Sequence, residues 1–153
     1  MSKNADPLAE LFAAAKAAQA QAYTPYSRFR VGAALMTPEG AIYSGGNVEN
    51  ASYPEGWCAE TSAIAAMVLA GARRIAEICV VGDGAALCTP CGGCRQRIRE
   101  FADDATIVHV AGPEGVRASF RLAALLPDSF GPGHLKSMSG LQLVVLDHRI
   151  KCQ

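Results

Sequence analysis

Four cysteines in two separate segments constrain this chain more than any other feature of its sequence. Cys58 lies in one segment, and Cys88, Cys91 and Cys94 crowd into a second segment further along the chain. Six cysteines in total are too few for a disulfide scaffold in 153 residues, a length that can build its own core. The pattern favours metal ligation, which requires a fold that brings the two segments together.

The spacing of these thiols indicates a zinc site. Cys91 and Cys94 form a Cys-x-x-Cys pair at a predicted helix start, and Cys58 can supply a third ligand from another helix start. Three protein ligands with one open position are typical of catalytic zinc, which lowers the pKa of bound water to about 7. Three thiolates and one zinc ion carry a net charge of minus one, and the helix N-termini should stabilise these thiolates.

Glu60 lies two residues after Cys58, about 200 degrees around the helix axis from it. This position disfavours Glu60 as a fourth ligand, but it allows the carboxyl group to reach across the open coordination position. The side chain is therefore a candidate proton shuttle. Three cysteines, a non-ligand glutamate and a Pro-Cys-x-x-Cys segment are the known arrangement of zinc-dependent deaminases.

Two other interpretations of the cysteines exist. Cys88 and Cys91 form a second, overlapping Cys-x-x-Cys pair, so Cys88 could complete a closed structural site of four thiolates. The placement of Glu60 favours the open catalytic site instead. A redox dithiol is disfavoured. A thioredoxin-like Cys-x-x-Cys should follow the first strand of a βαβ arrangement, and the order of elements predicted for this chain is different.

Hydrophobic periodicity and turn residues predict alternating helices and strands. An Asp6-Pro7 pair marks the first helix start, and Pro90 is expected in the first turn of a later helix. The predicted elements are helix 7–22, strands 31–37 and 41–47, helix 58–70, strand 75–82, a helix from 90 or 91 through 99, and strand 106–111. This order predicts an α/β layered sheet in one domain over 1–153, with 132–153 as a C-terminal extension and an apolar run at 141–146.

Composition excludes several classes of function. The 14 Lys and Arg balance the 14 Asp and Glu, so the chain lacks the basic footprint of a polynucleotide-binding protein. Arg95, Arg97 and Arg99 alternate along a predicted helix, which favours a solvated face. At 50% hydrophobic and 18% charged residues the chain is too apolar to be disordered, and the surplus indicates buried subunit interfaces.

The N-terminal segment indicates a cytoplasmic protein. Glu10 and Lys16 interrupt any apolar run there, so we expect no signal peptide. The longest apolar stretch, residues 63–72, has about half of the ~20 residues that a membrane span needs. We therefore expect no membrane association.

The motifs between residues 23 and 131 together resemble the cytidine deaminases of the short, homotetrameric, three-cysteine type. The matching segments are residues 26–35, 47–54, 58–60, 90–96 and 125–130. The resemblance implies a three-layer α/β/α sandwich with a mixed five-stranded sheet. It also implies one Zn²⁺ per subunit on Cys58, Cys91 and Cys94, with Glu60 as the catalytic residue.

The same resemblance assigns substrate contacts. Phe29 would pack against the pyrimidine, Asn47 and Glu49 would hydrogen-bond the ribose hydroxyls, and the Ala59 backbone would contact the base. Phe130 would reach the active site of a neighbouring subunit. These residues extend the site beyond the metal.

The implied reaction is hydrolytic deamination of cytidine and deoxycytidine to uridine and deoxyuridine in pyrimidine salvage. Zinc-bound hydroxide would attack C4 while Glu60 moves protons. The alternatives are a deaminase of a blasticidin-type nucleoside antibiotic and a non-catalytic zinc-stabilised interaction domain. One departure concerns charge: family members of this type often carry Arg after the catalytic Glu, and this chain has Thr61 there.

Overall fold

The structure is a computed structural model, and it describes residues 6–136. Ten helices and strands follow one another in this part of the chain, with a short 3-10 turn at Tyr53–Glu55 before the second helix. They are α1 (Pro7–Ala20), β1 (Val31–Met36), β2 (Ile42–Gly46), α2 (Ala59–Leu69), β3 (Glu77–Gly82), α3 (Gly92–Phe101), β4 (Ile107–Gly112), β5 (Gly115–Arg121), α4 (Leu122–Leu125) and α5 (Pro132–Lys136).

The five strands form one mixed sheet in the order β2-β1-β3-β4-β5. Strands β3 and β4 are parallel, and every other neighbouring pair is antiparallel. The parallel pair needs a crossover, which α3 provides. The mixed five-stranded sheet expected from the family resemblance is confirmed, and it includes β5, which was not among the predicted elements.

Helices cover both faces of the sheet. Successive side chains of a strand point to opposite faces, and in β1 Ala33 and Leu35 pack in one buried cluster with residues of α2 and α3. Ala34, between them, packs in a second cluster with Leu11 and Ala15 of α1. The helices therefore lie in two layers with the sheet between them, as expected for a three-layer α/β/α sandwich.

Capping residues set several helix boundaries. The Asp6 side chain accepts a hydrogen bond from the Leu8 N–H at 3.1 Å, as the Asp-Pro pair predicts. The expectation that Pro90 lies in the first turn of α3 is wrong. Cys91 has the extended backbone of an N-cap residue, with ψ of 166°, so the helix starts only at Gly92 and the buried Pro90 precedes the cap.

Part of the predicted C-terminal extension can be compared with the structure. Residues 132–136 form α5, and residues 137–153, with the apolar run at 141–146, lie outside the described residues. Within 6–136, no helix has the length and apolar character needed to cross a membrane.

Gly32 is where α1 and β1 approach most closely. A Cβ atom at this position would lie 2.0 Å from the Ala15 carbonyl oxygen and 2.4 Å from the Gln19 nitrogen, both backbone atoms. We expect Gly32→Ala to lower the free energy of unfolding by about 3 kcal/mol or more, because the helix must move off the sheet. Denaturant unfolding checks this. Gly133→Ala is the control, since open space surrounds that position, and equal stability of the two variants would contradict the packing described.

Candidate active site

Two helix N-termini bring three thiols together. Cys58 is the N-cap of α2, Cys91 is the N-cap of α3, and Cys94 lies in the first turn of α3. The Sγ atoms of Cys58 and Cys91 are 3.8 Å apart, and all three Sγ atoms lie within 4.8 Å of one another. Tetrahedral zinc with Zn–S distances of about 2.3 Å needs sulfur atoms about 3.8 Å apart. The donor set therefore fits zinc, and it consists of the three predicted ligands.

Cys88 lies outside this metal-ligand group. Its half-buried side chain faces the same cavity as Cys58 and Cys91, and burial raises the pKa of its thiol. The geometry therefore favours an open site of three thiolates over a closed site of four.

The thiols of Cys58 and Cys94 shift each other's pKa in opposite directions. Interaction with the neighbouring Cys94 thiol lowers the pKa of Cys58 to about 6, and the same interaction raises the pKa of Cys94. One thiol of the pair is thus already ionised near neutral pH. The remaining thiols must lose their protons when an ion binds, so zinc binding releases protons.

Glu60 lies beside the thiols without joining their group. Its carboxyl group is only 3% exposed, and Oε2 accepts a hydrogen bond from the Cys94 thiol at 3.3 Å. Burial raises the pKa of Glu60, against weaker opposing effects that include the charge of Arg97. A buried carboxyl group with a raised pKa next to a metal site is suited to accept and return a proton.

A cavity of about 530 Å³ is lined by Glu60 and by three of the cysteines, Cys58, Cys88 and Cys91. This volume is in the range of small-molecule sites. Asn47, Glu49 and the fully buried Ala59 are predicted substrate contacts that line it.

Asn47 and Glu49 also hold the wall of the cavity in place. The Asn47 side chain accepts from the Val31 N–H at 2.9 Å and donates to the Phe29 carbonyl at 3.0 Å. Glu49 accepts from the Tyr26 N–H at 2.8 Å, and from both the N–H and the hydroxyl of Ser27. Hydrogen bonding, chiefly by the Ser27 hydroxyl, lowers the pKa of Glu49, so this carboxylate is charged where Glu60 favours its neutral form.

Phe29 and Phe130 do not line the cavity formed by the described residues of one chain. The Phe29 ring is 42% exposed and lies beside Gly82. Phe130 is 57% exposed and stacks on His134, with ring centroids 4.9 Å apart. Their assigned substrate contacts stay predictions.

Sequence reasoning missed three exposed aromatic residues at the cavity. Tyr26, Tyr53 and Trp57 line it, and the Trp57 Nε1–H donates to the Ser62 hydroxyl at 2.8 Å. Their positions outside the predicted helices and strands are the signal that could have revealed them, since tyrosine and tryptophan are enriched at interfaces where one end of the side chain stays wet.

The expectation of a solvated arginine face on α3 holds for the exposed Arg97 and is wrong for Arg95 and Arg99, which are half-buried and hydrogen-bonded. The Arg95 side chain donates to the carbonyls of Pro90 and Leu125, each at 2.7 Å, and to the Thr89 hydroxyl at 3.2 Å. It connects the ligand-bearing loop to α4, a contact between residues that are distant in sequence. Arg95 therefore holds the metal-binding segment in place.

Comparison with known proteins identifies the class of this chain. Residues 6–110 match the model of the cytidine and deoxycytidylate deaminase zinc-binding region. A cytidine deaminase from Sporosarcina psychrophila is 41% identical over 121 residues, which cover 79% of this chain and 89% of the relative. The crystal structure of cytidine deaminase from Burkholderia pseudomallei matches with a TM-score of 0.75 and 43% identity, covering 80% of this chain and 98% of that one. The crystal structure of cytidine deaminase from Mycobacterium tuberculosis matches with a TM-score of 0.69 and 38% identity, over 80% and 96% of the two chains.

The chain therefore belongs to the cytidine and deoxycytidylate deaminase family. Zinc is its cofactor, and the three thiols at the N-termini of α2 and α3 are the group that could hold it. The matched region ends before Phe130, so it covers the metal segment and Glu60 but not the C-terminal motif.

The cysteine geometry makes a direct prediction about metal content. We expect Cys88→Ser to retain one zinc per chain, because its thiol lies outside the metal group. Cys94→Ser should lose most of the metal, since a three-ligand site becomes a two-ligand site. Atomic absorption on the purified variants checks both. Loss of zinc from Cys88→Ser to the same extent as from Cys94→Ser would contradict the open site.

Proposed function

We propose that this protein catalyses the zinc-dependent hydrolysis of cytidine and deoxycytidine to uridine and deoxyuridine, with release of ammonia. The observation that carries the proposal is the buried Glu60, which is hydrogen-bonded to a thiol of the metal group and lines a cavity of about 530 Å³. The names of the relatives support the substrate. A structural zinc site has no use for a buried acid with a raised pKa beside its ligands.

Cys58, Cys91 and Cys94 are the residues that would hold the ion. Zinc, when bound, is a Lewis acid that makes water nucleophilic at neutral pH. Free N–H groups and the positive dipole end at the two helix N-termini would offset part of the negative charge of the ligands around the ion. Thiols that still carry a proton lose it when the ion binds.

Glu60 is the proton carrier in this proposal. Its raised pKa lets Oε2 hold a proton taken from water and deliver it to N3 of the ring, and a second transfer through the same carboxyl group releases the amine as ammonia. Burial keeps bulk water away from the carboxyl group, so the transferred proton stays in the site. The buried position of Glu60 directly after Ala59 aligns this step with the substrate base.

The loop residues would orient the nucleoside. The charged Glu49 is a hydrogen-bond acceptor and Asn47 is both donor and acceptor, which suits them to ribose hydroxyls. Ala59 exposes its backbone to the base because its side chain is small and buried. Phe29 would pack against the pyrimidine once the site is complete.

The proposal includes a homotetramer in which Phe130 of one subunit enters the site of its neighbour. The high apolar content and the exposure of Phe130 and of the aromatics near the cavity support buried interfaces. We further propose that the chain is one deaminase domain and that its reaction serves pyrimidine salvage in the cytoplasm.

Removing the carboxyl group of Glu60 tests the reaction. We expect Glu60→Gln to reduce cytidine and deoxycytidine turnover by about 10²- to 10⁴-fold, because the proton carrier is lost. Zinc content should not change, since Glu60 is outside the metal group. Absorbance-monitored turnover of cytidine, deoxycytidine, cytosine and adenosine measures the effect, with Glu39→Gln in the exposed β1–β2 turn as control. Absence of wild-type activity on all four compounds, or full activity of Glu60→Gln, would contradict the proposal.

Mixed oligomers test the role of Phe130. We expect Phe130→Ala to raise KM for cytidine about tenfold through loss of an aromatic contact. Chains carrying Phe130→Ala, co-expressed with Glu60→Ala chains and purified through two tags, should recover the wild-type KM at some sites. Those are the sites in which the intact Glu60 of a Phe130→Ala chain lies beside the intact Phe130 of a neighbouring Glu60→Ala chain.

Two results would overturn the shared site. One is sedimentation of the wild-type protein as a monomer only. The other is a mixed oligomer whose KM equals that of Phe130→Ala alone.

A further inference from the structure

Arg97 lies one helical turn after Cys94, and its side chain folds back toward the start of α3. Its Nη1 atom is 3.0 Å from the position that a Cβ of Gly93 would occupy. Because Gly93 has no side chain, the guanidinium can lie against the first helical turn. This turn also carries Cys91 as its N-cap and Cys94.

The guanidinium of Arg97 makes no hydrogen bond or salt bridge with any residue between 6 and 136. The other two arginines of α3 differ in this respect. Arg95 donates to two carbonyls and a hydroxyl, and Arg99 donates to the Ala102 carbonyl and the Ser129 hydroxyl and pairs with Asp104. Arg97 is thus a cation without a hydrogen-bond or salt-bridge partner among residues 6–136.

A cation at a helix N-terminus is unfavourable unless an anion lies nearby, because the N-terminus itself carries about half a positive charge. The first turn of α3, against which the guanidinium lies, carries two thiols of the metal group, Cys91 and Cys94. The exposed guanidinium of Arg97 therefore lies beside negatively charged ligands when an ion is bound.

The cluster also needs such a charge. Three thiolates and one divalent ion sum to minus one, and an ionised Glu60 makes the sum minus two. Thr61, next to Glu60, is neutral, and its buried hydroxyl oxygen has no hydrogen-bond partner among the residues that the structure describes. The two helix N-termini offset only part of this charge.

We propose that Arg97 is the counter-charge of the three-thiolate zinc site. Arg97 does not line the cavity, so it acts through the thiolates. Its positive charge lowers the free-energy cost of keeping three negative ligands around one ion. This function rests on the proposed zinc site, but not on deamination itself.

The test measures zinc release, which requires no turnover. Holoprotein is mixed with an excess of a colorimetric chelator, and the rate of zinc transfer is followed at about 20 mM and about 1 M salt. We expect Arg97→Gln to release zinc about tenfold faster than wild type at low salt. The difference should shrink strongly at high salt, because the Debye length falls to about 3 Å at 1 M. Arg97→Lys should release zinc at a rate close to wild type.

Arg121→Gln is the matched control. This exposed arginine pairs with Ile107 at the opposite end of the sheet from Gly82, and removing it changes the net charge equally. Equal release rates for Arg97→Gln and Arg121→Gln would overturn the proposal, as would a difference that salt leaves unchanged, which indicates lost packing. If the zinc-release rates behave as expected but the protein deaminates no nucleoside, the proposed function fails and the role of Arg97 stands. If the wild-type protein holds no zinc, the proposed function and the role of Arg97 both fail.

Discussion

The convergence of two helix N-termini at one edge of the sheet is the constraint on which the rest of the site depends. Cys58 and Cys91 each occupy the N-cap position of a helix, and their Sγ atoms meet at 3.8 Å. The buried packing of α2 and α3 on β1, β3 and β4 sets this distance. Each N-cap also has free backbone N–H groups and the positive end of a helix dipole beside it, which offset part of the negative charge that three thiolates carry around an ion.

Two carboxyl groups at the cavity differ because their surroundings differ. Burial raises the pKa of Glu60, and hydrogen bonds from the 26–27 segment lower the pKa of Glu49. One group can therefore carry a proton while the other remains a charged acceptor, a division of roles that enzymes commonly achieve through environment. Glu49 and Asn47 also fix the loop that forms the cavity wall, so substrate orientation and local structure share the same residues.

Local signals predicted much of the fold and the centre of the site. The cap at Asp6 and the cysteine spacing act over a few residues, and both are visible in the sequence. Strand β5 (Gly115–Arg121) was not predicted, although Val116, Ala118 and Phe120 alternate with three polar residues, a pattern typical of a half-buried strand. Arg95 was misjudged because its acceptor on Leu125 is 30 residues away, and only the folded chain brings it near.

The most direct test of this account is zinc X-ray absorption on the purified wild-type protein, because it counts the atoms around the ion. The account predicts three sulfur atoms at about 2.3 Å and one light atom, the open position of a catalytic site. Four sulfur atoms would mean that Cys88 closes the site. That result would contradict the separation of Cys88 from the three thiols on which the proposed chemistry depends.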